Sequence, residues 1–196
     1  MIKMILMNQK QKINTICGID YSMSCPSVCV HTGAQWSFLN CVFYFLTTRK
    51  KFLIVSDLFI GELHRDYLTQ QERFNNISEW VLNKIPKNSF VFLEDYSFGS
   101  KGLQFSIGEN TGLLKHKLWK EKRNLNCFSP SAIKKYATTK GNANKDLMHK
   151  AFYDETGVKI DQIFDIKPGT SPIADIIDSY FIAKFGFDFL RKTHTK

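Results

Sequence analysis

The stretch SPIADIIDSYFIAKF, residues 171–185, sets apolar residues at helical spacing around two acids, Asp175 and Asp178, three positions apart. That spacing puts both carboxylates on one helix face, with Cβ atoms roughly 5–6 Å apart. Like charges so placed repel, and something must offset them. Two further acids stand at the ends of apolar segments: Asp20 closes INTICGID, and Glu94 closes VFLE. Acids ending neighbouring strands can meet a helix that crosses the same sheet edge. Each has a plainer explanation alone, as a turn starter, a solvated strand end, or a first-turn acid favoured by the helix macrodipole. Taken together they point to shared cations. Hard divalent ions such as Mg²⁺ take carboxylate oxygens, and two ions roughly 3.5–4 Å apart serve phosphoryl transfer. One activates a water for in-line attack on phosphorus, and the other stabilises the leaving 3′ oxygen.

Elements that could position these acids follow from the patterning. Residues 13–20 alternate as a strand, SVCVHTG reads as a second, and QWSFLNCVFYFL (35–46) as a third, an antiparallel meander. Residues 47–62 are ambiguous between a further strand and a loop. A helix is expected over 65–85, with Leu68, Phe74, Ile77, Trp80, Val81 and Ile85 on one stripe, ended by Pro86. SFVFLEDY then supplies a continuous apolar strand of the kind buried in parallel sheets. A helix over about 103–122, a short strand at LNCFSP, a helix capped by Ser129 or Ser131, a polar loop TTKGNANKD, another helix and the final helix complete the chain. This order predicts an α/β fold: a mixed sheet with helices packed on it.

With 196 residues, 43% of them hydrophobic and 17 of them Phe, the chain suits one packed domain over 13–196, after a loose N-terminus at 1–12. A net charge of +9 and a pI near 9.3 favour a polyanionic partner such as nucleic acid or an anionic membrane. No apolar run is long enough to span a membrane, and the opening residues lack a signal peptide's pattern, so a cytosolic protein is expected. Cys25, Cys29 and His31 lie close together, but no second metal-ligand pair completes a zinc set, and the five cysteines read as buried free thiols.

Four segments, CGIDYSMSCPSVCV, VFLEDYSFGSKG, SPSAIKKYATTKGNANKD and IADIIDSYFIA, resemble in order and spacing the RuvC family of Holliday junction resolvases, over about residues 13–190. The resemblance implies an RNase H-like fold: three antiparallel strands, then parallel strands, with helices on both faces. It implies a homodimeric crossover junction endodeoxyribonuclease that nicks four-way DNA with two Mg²⁺ per site, Mn²⁺ being able to substitute, and leaves 5′-phosphate and 3′-hydroxyl ends. By the same resemblance Asp20, Glu94, Asp175 and Asp178 are the catalytic, metal-binding acids. Lys134 and Lys145 match lysines near the scissile phosphate. The family's junction-centre aromatic falls at Ser97 here, leaving its neighbours Tyr96 and Phe98 as candidates for DNA contact. A role in recombination and repair, in the cytoplasm of a bacterium or phage-infected host, goes with the family.

Two departures qualify the match. The FDIKPGTSP connection is longer than the family norm, and residues 36–62 are richer in Phe and Lys. The chain therefore resembles a divergent, phage-type member. The alternatives are an RNase H-like nuclease acting on other branched DNA or RNA–DNA hybrids, and a silent DNA-binding module. Four acids facing phosphates would serve a mere binder badly. A dimer seam is expected on the helix after Glu94, through Leu103, Ile107, Leu114 and Leu118.

Overall fold

The structure is a computed structural model that describes residues 15–96 and 104–194. The expected loose N-terminus at 1–12, Leu103 and Phe98 lie outside the described residues.

Six strands form one mixed sheet in the order β4-β3-β2-β1-β5-β6. β1 (Thr15–Asp20), β2 (Ser27–Thr32) and β3 (Cys41–Thr47) make the expected antiparallel meander. β4 (Phe59–Leu63) lies parallel to β3, while β5 (Phe90–Glu94) runs parallel to both β1 and β6 (Asn124–Phe128). Every strand except β2 therefore points the same way.

The helices cover both faces. α1 (Gln70–Lys84) and α2 (Gln104–Lys120) bury Ile77, Val81, Leu114 and Leu118 against Cys17, Ile19, Val91 and Leu93. α3 (Pro130–Thr138), α4 (Lys145–Thr156), α5 (Ile160–Phe164) and α6 (Ile173–His194) cover the other face. There Phe43, Phe45, Phe59, Phe92, Phe152 and Tyr180 form an aromatic-rich core. Burial on both sides explains why β5 reads as an unbroken apolar run.

Several expectations are corrected. The third strand begins at Cys41 rather than at 35, because Phe38–Asn40 form a 3₁₀ turn. Packing drives this: Trp36 stacks on His31 at 4.4 Å and donates to the Tyr180 hydroxyl at 3.1 Å, while Phe38 meets Phe152 edge-on at 5.8 Å. The first helix starts at Gln70, capped by Thr69, which accepts from the Glu72 amide; Glu72 accepts in turn from the Leu68 amide at 2.7 Å. Leu68 thus precedes the helix and is 96% exposed, not part of the buried stripe. The ambiguous segment 47–62 resolves into a 3₁₀ turn at Lys50–Phe52 and edge strand β4, and α5 is an element the sequence pattern did not show. Ser129, rather than Ser131, caps α3 by accepting from the Ala132 amide. Cys17, Cys25, Cys29 and Cys41 are buried free thiols as expected, whereas Cys127 is exposed.

Candidate active site

Strand parity aims the first two acids. Along β1, Ile16 faces the aromatic core while Cys17 and Ile19 face α1 and α2, so Asp20, in phase with Ile16 and Gly18, points to the α6 side. Along β5, Phe90 and Phe92 face the same core, and Glu94 continues their phase. The register pairs Ile19 with Leu93, so Asp20 and Glu94 end adjacent parallel strands side by side on one face.

α6 delivers the other two. It lies directly on β1: a Cβ built on Gly18 would stand 2.3 Å from the Ala183 nitrogen and 2.4 Å from the Ser179 oxygen. Only a residue without a side chain permits that approach. A buried 3.0 Å bond between the Ser27 and Ser179 hydroxyls ties the helix to β2, and Ser179 also donates to the Ile176 carbonyl at 2.8 Å. Held so, the first turns of α6 carry Asp175 and Asp178 to the sheet edge where Asp20 and Glu94 end.

The electrostatics record the meeting. Burial, then the charges of Asp175, Asp178 and Glu94, hold the Asp20 carboxyl well above the usual range. Asp178 is pushed up to about 7 by burial first, then by Glu94 and Asp175. Burial raises Glu94 and Asp175 as well. Asp175 is drawn partly back by hydrogen bonds from Ser171 and Cys25 and by the Lys145 charge. Its Oδ2 is buried with no hydrogen-bond partner among the described residues. The four acids are near enough to repel but are not gathered into a ligand shell: among the described residues no three His, Cys, Asp or Glu side chains form one.

Both predicted lysines reach the cluster. Lys134 on α3 lowers Glu94 and Asp178, and Lys145 lowers Asp20, Asp175 and Asp178. Lys145 opens α4 just after its cap, Asn144, whose side chain accepts from the Leu147 amide at 3.0 Å. The two lysines and Asp178 line a cleft of about 260 Å³. A larger cleft of about 540 Å³, on the Asp20 and Glu94 side, takes in Tyr96 as well.

The second wall of this larger cleft was missed in the sequence. Arg73 of α1 and Ile107, Asn110 and Thr111 of α2 line it. Asn110, buried, accepts from the Tyr21 hydroxyl at 3.0 Å, fixing the residue that follows Asp20. Lys115 bonds Asp95 at 2.9 Å, holding that carboxyl below the usual range, and its ammonium lies 4.2 Å from the Tyr96 ring centroid. A buried Asn within an apolar helical stripe was the available signal. The expected dimer seam is not free: Leu114 and Leu118 are 0% exposed in the chain's own core, and Ile107 lines the cleft.

No protein-family model matches the chain, and no curated protein does. Among solved structures it is similar to Thermus thermophilus RuvC in complex with a Holliday junction substrate, at 15% identity and a TM-score of 0.59, with 92% of this chain and 96% of that one covered. A second Thermus thermophilus RuvC structure matches at 15% identity and a TM-score of 0.52, covering 88% and 97% of the two chains. The likeness shows the fold: this is the α/β architecture of those structures, over nearly the full length of each.

Proposed function

We propose that this chain is a metal-dependent DNA endonuclease that resolves four-way junctions by paired phosphodiester hydrolysis. The convergence of Asp20, Glu94, Asp175 and Asp178 on one sheet edge, beside Lys134 and Lys145, carries the reading. The donors fit hard divalent cations: all four are carboxylates, each is raised by burial, and Asp175 Oδ2 is buried without a partner among the described residues. Asp20, Glu94, Asp175 and Asp178 would hold the ions. Two bound Mg²⁺ would supply positive charge for both the attacking and the leaving oxygen of an in-line displacement.

The chain's own groups do the rest. Lys134 and Lys145 set ammonium groups beside the acids, where they offset the charge of the phosphate being cut. Asp178, raised to about 7, holds a proton in the metal-free protein below that pH and must release it to become a ligand. Water adds to phosphorus, the P–O3′ bond breaks, and the 3′ oxygen takes up a proton. The products are a 5′-phosphate and a 3′-hydroxyl. A four-way junction presents two equivalent strands, and a symmetric homodimer would offer two equivalent sites. The Thermus thermophilus relative of the same fold was solved on a Holliday junction, which favours this substrate over other branched DNA.

The test is incubation in Mg²⁺ with labelled four-way junction, flap, RNA–DNA hybrid and linear duplex, alongside a supercoiled cruciform plasmid. Symmetric nicks on the junction alone, with the plasmid passing directly to linear form, are expected. Asp20→Asn and Glu94→Gln should bind junction without cutting it. Equal cutting of hybrid or flap would reassign the substrate, and wild-type inertness in both Mg²⁺ and Mn²⁺ would leave a binding module.

A further inference from the structure

The turn Arg49-Lys50-Lys51 belongs to the Lys-rich stretch that departs from the family pattern, and the nuclease reading leaves it without a role. Its place in the sheet gives it one. β3 runs parallel to β1, so the turn after Thr47 emerges on the same edge as Asp20 and Glu94. Lys134 follows β6, two strands from β1 on one side, and the turn follows β3, two strands from β1 on the other. The edge thus reads cation, acids, cation. Arg49 is near enough for its charge to act on the Cys25 thiol, itself beside Asp175.

The turn is built to hold its charges still. Arg49 donates its amide to Thr47 Oγ1 at 3.1 Å, and the Phe52 amide bonds the Arg49 carbonyl at 3.0 Å. Phe52 is buried beneath: a Cβ on Gly61 would stand 2.0 Å from the Phe52 oxygen, so β4 admits the turn only through a glycine. The Arg49 guanidinium and Lys51 ammonium lie 5.8 Å and 4.8 Å from the Phe52 ring centroid, which orders their stems. All three residues are exposed, and none forms an ion pair among the described residues. Three exposed cations without ion pairs among the described residues, two of them laid on the Phe52 ring, fit a chain of phosphates on a cleavage edge.

We propose that the Arg49-Lys50-Lys51 turn is a second phosphate-binding platform, gripping the sugar–phosphate backbone of the bound DNA on the side of the acids opposite Lys134. Two strand spacings alone set it at least about 10 Å from Asp20, and the register, which levels Asp20 with Phe45, carries the turn further along the strands; at about 3.4 Å per nucleotide that is three or more nucleotides of duplex from the cut. The inference rests on the nuclease reading for its substrate, and its test is read in binding so that the two can fail separately.

The full chain with Arg49, Lys50 and Lys51 all changed to Ala is titrated by anisotropy against labelled four-way junction in EDTA, from 50 to 200 mM salt. The slope of log K against log salt should become shallower by about 2–3, near 0.9 for each phosphate no longer neutralised. Should the triple variant melt below wild type, Lys50→Ala alone, whose side chain makes no ring contact in the turn, should flatten the slope by about one. Neutral methylphosphonates walked outward from the cut should weaken wild type at a position three or more nucleotides away, and the triple variant no more there than elsewhere. A wild-type slope in both variants, or no methylphosphonate sensitivity at any position three or more nucleotides out, overturns the platform. Absence of cleavage by wild type in Mg²⁺ bears instead on the nuclease reading and leaves these binding results standing.

Discussion

If the four acids are gathered for a cation, the metal-free protein should gain stability when one is neutralised, even as its activity is lost. Asp178→Asn tests this with a sign that ordinary helix acids would not give. In the folded protein Asp178 titrates near 7, against an ordinary value of 3.8. A carboxyl raised by folding favours the folded state while protonated, below the unfolded value, and that advantage drains as pH climbs through the folded value. Each pH unit between the two is worth about 1.4 kcal/mol, so the ceiling is roughly 4 kcal/mol above pH 7. The amide has no such penalty. Urea unfolding in EDTA should therefore find the variant matching wild type near pH 4 and up to about 4 kcal/mol more stable at pH 8, with the gap opening between about pH 4 and 7. Mg²⁺ should stabilise wild type and close the gap, while cleavage by the variant stays absent. A constant stability difference across this pH range, or a less stable variant at pH 8, would refute the argument that these carboxylates repel within one site.

Gly18→Ala places a methyl against the α6 backbone, 2.3 Å from the Ala183 nitrogen, where no side chain can move aside; overpacking should cost about 1–3 kcal/mol or more. Because α6 carries Asp175 and Asp178, calorimetric Mg²⁺ affinity should fall along with the melting temperature, and wild-type values of both would show that the close approach is not what seats the acids. Lys145→Ala should flatten the salt dependence of DNA binding by about one without changing preference among sequences. An unchanged slope and cleavage rate would make Lys145 an ordinary surface charge.

How far the site could be read in the sequence depended on whether a local period fixed the answer. Parity along β1 and β5 and the three-residue spacing in α6 are rules of one element each, so the placing of Asp20 and Glu94 at strand ends and of Asp175 and Asp178 on one helix face was legible from their neighbours alone. The bounds of β3 were not: Trp36 and Phe38 have strand-forming side chains, and only packing with His31, Tyr180 and Phe152 turns them into a 3₁₀ corner. α5, five residues long, is too short to show a period. The stripe Ile107, Leu114, Leu118 exposes a deeper limit. An apolar stripe says that a helix face will be covered and is silent on what covers it, so reading it as a dimer seam was no less consistent with the pattern than the sheet contact that exists. The exposed side chains of α2 carry the opposite information. Phe105 and Trp119 lie together on the face away from that stripe and are 88% and 74% exposed, so if the active form is a homodimer using this helix, its contact must run through this other face. Mixed dimers of wild type and Trp119→Glu would then form poorly, whereas Leu118→Ala would lower the stability of each chain before it touched their pairing.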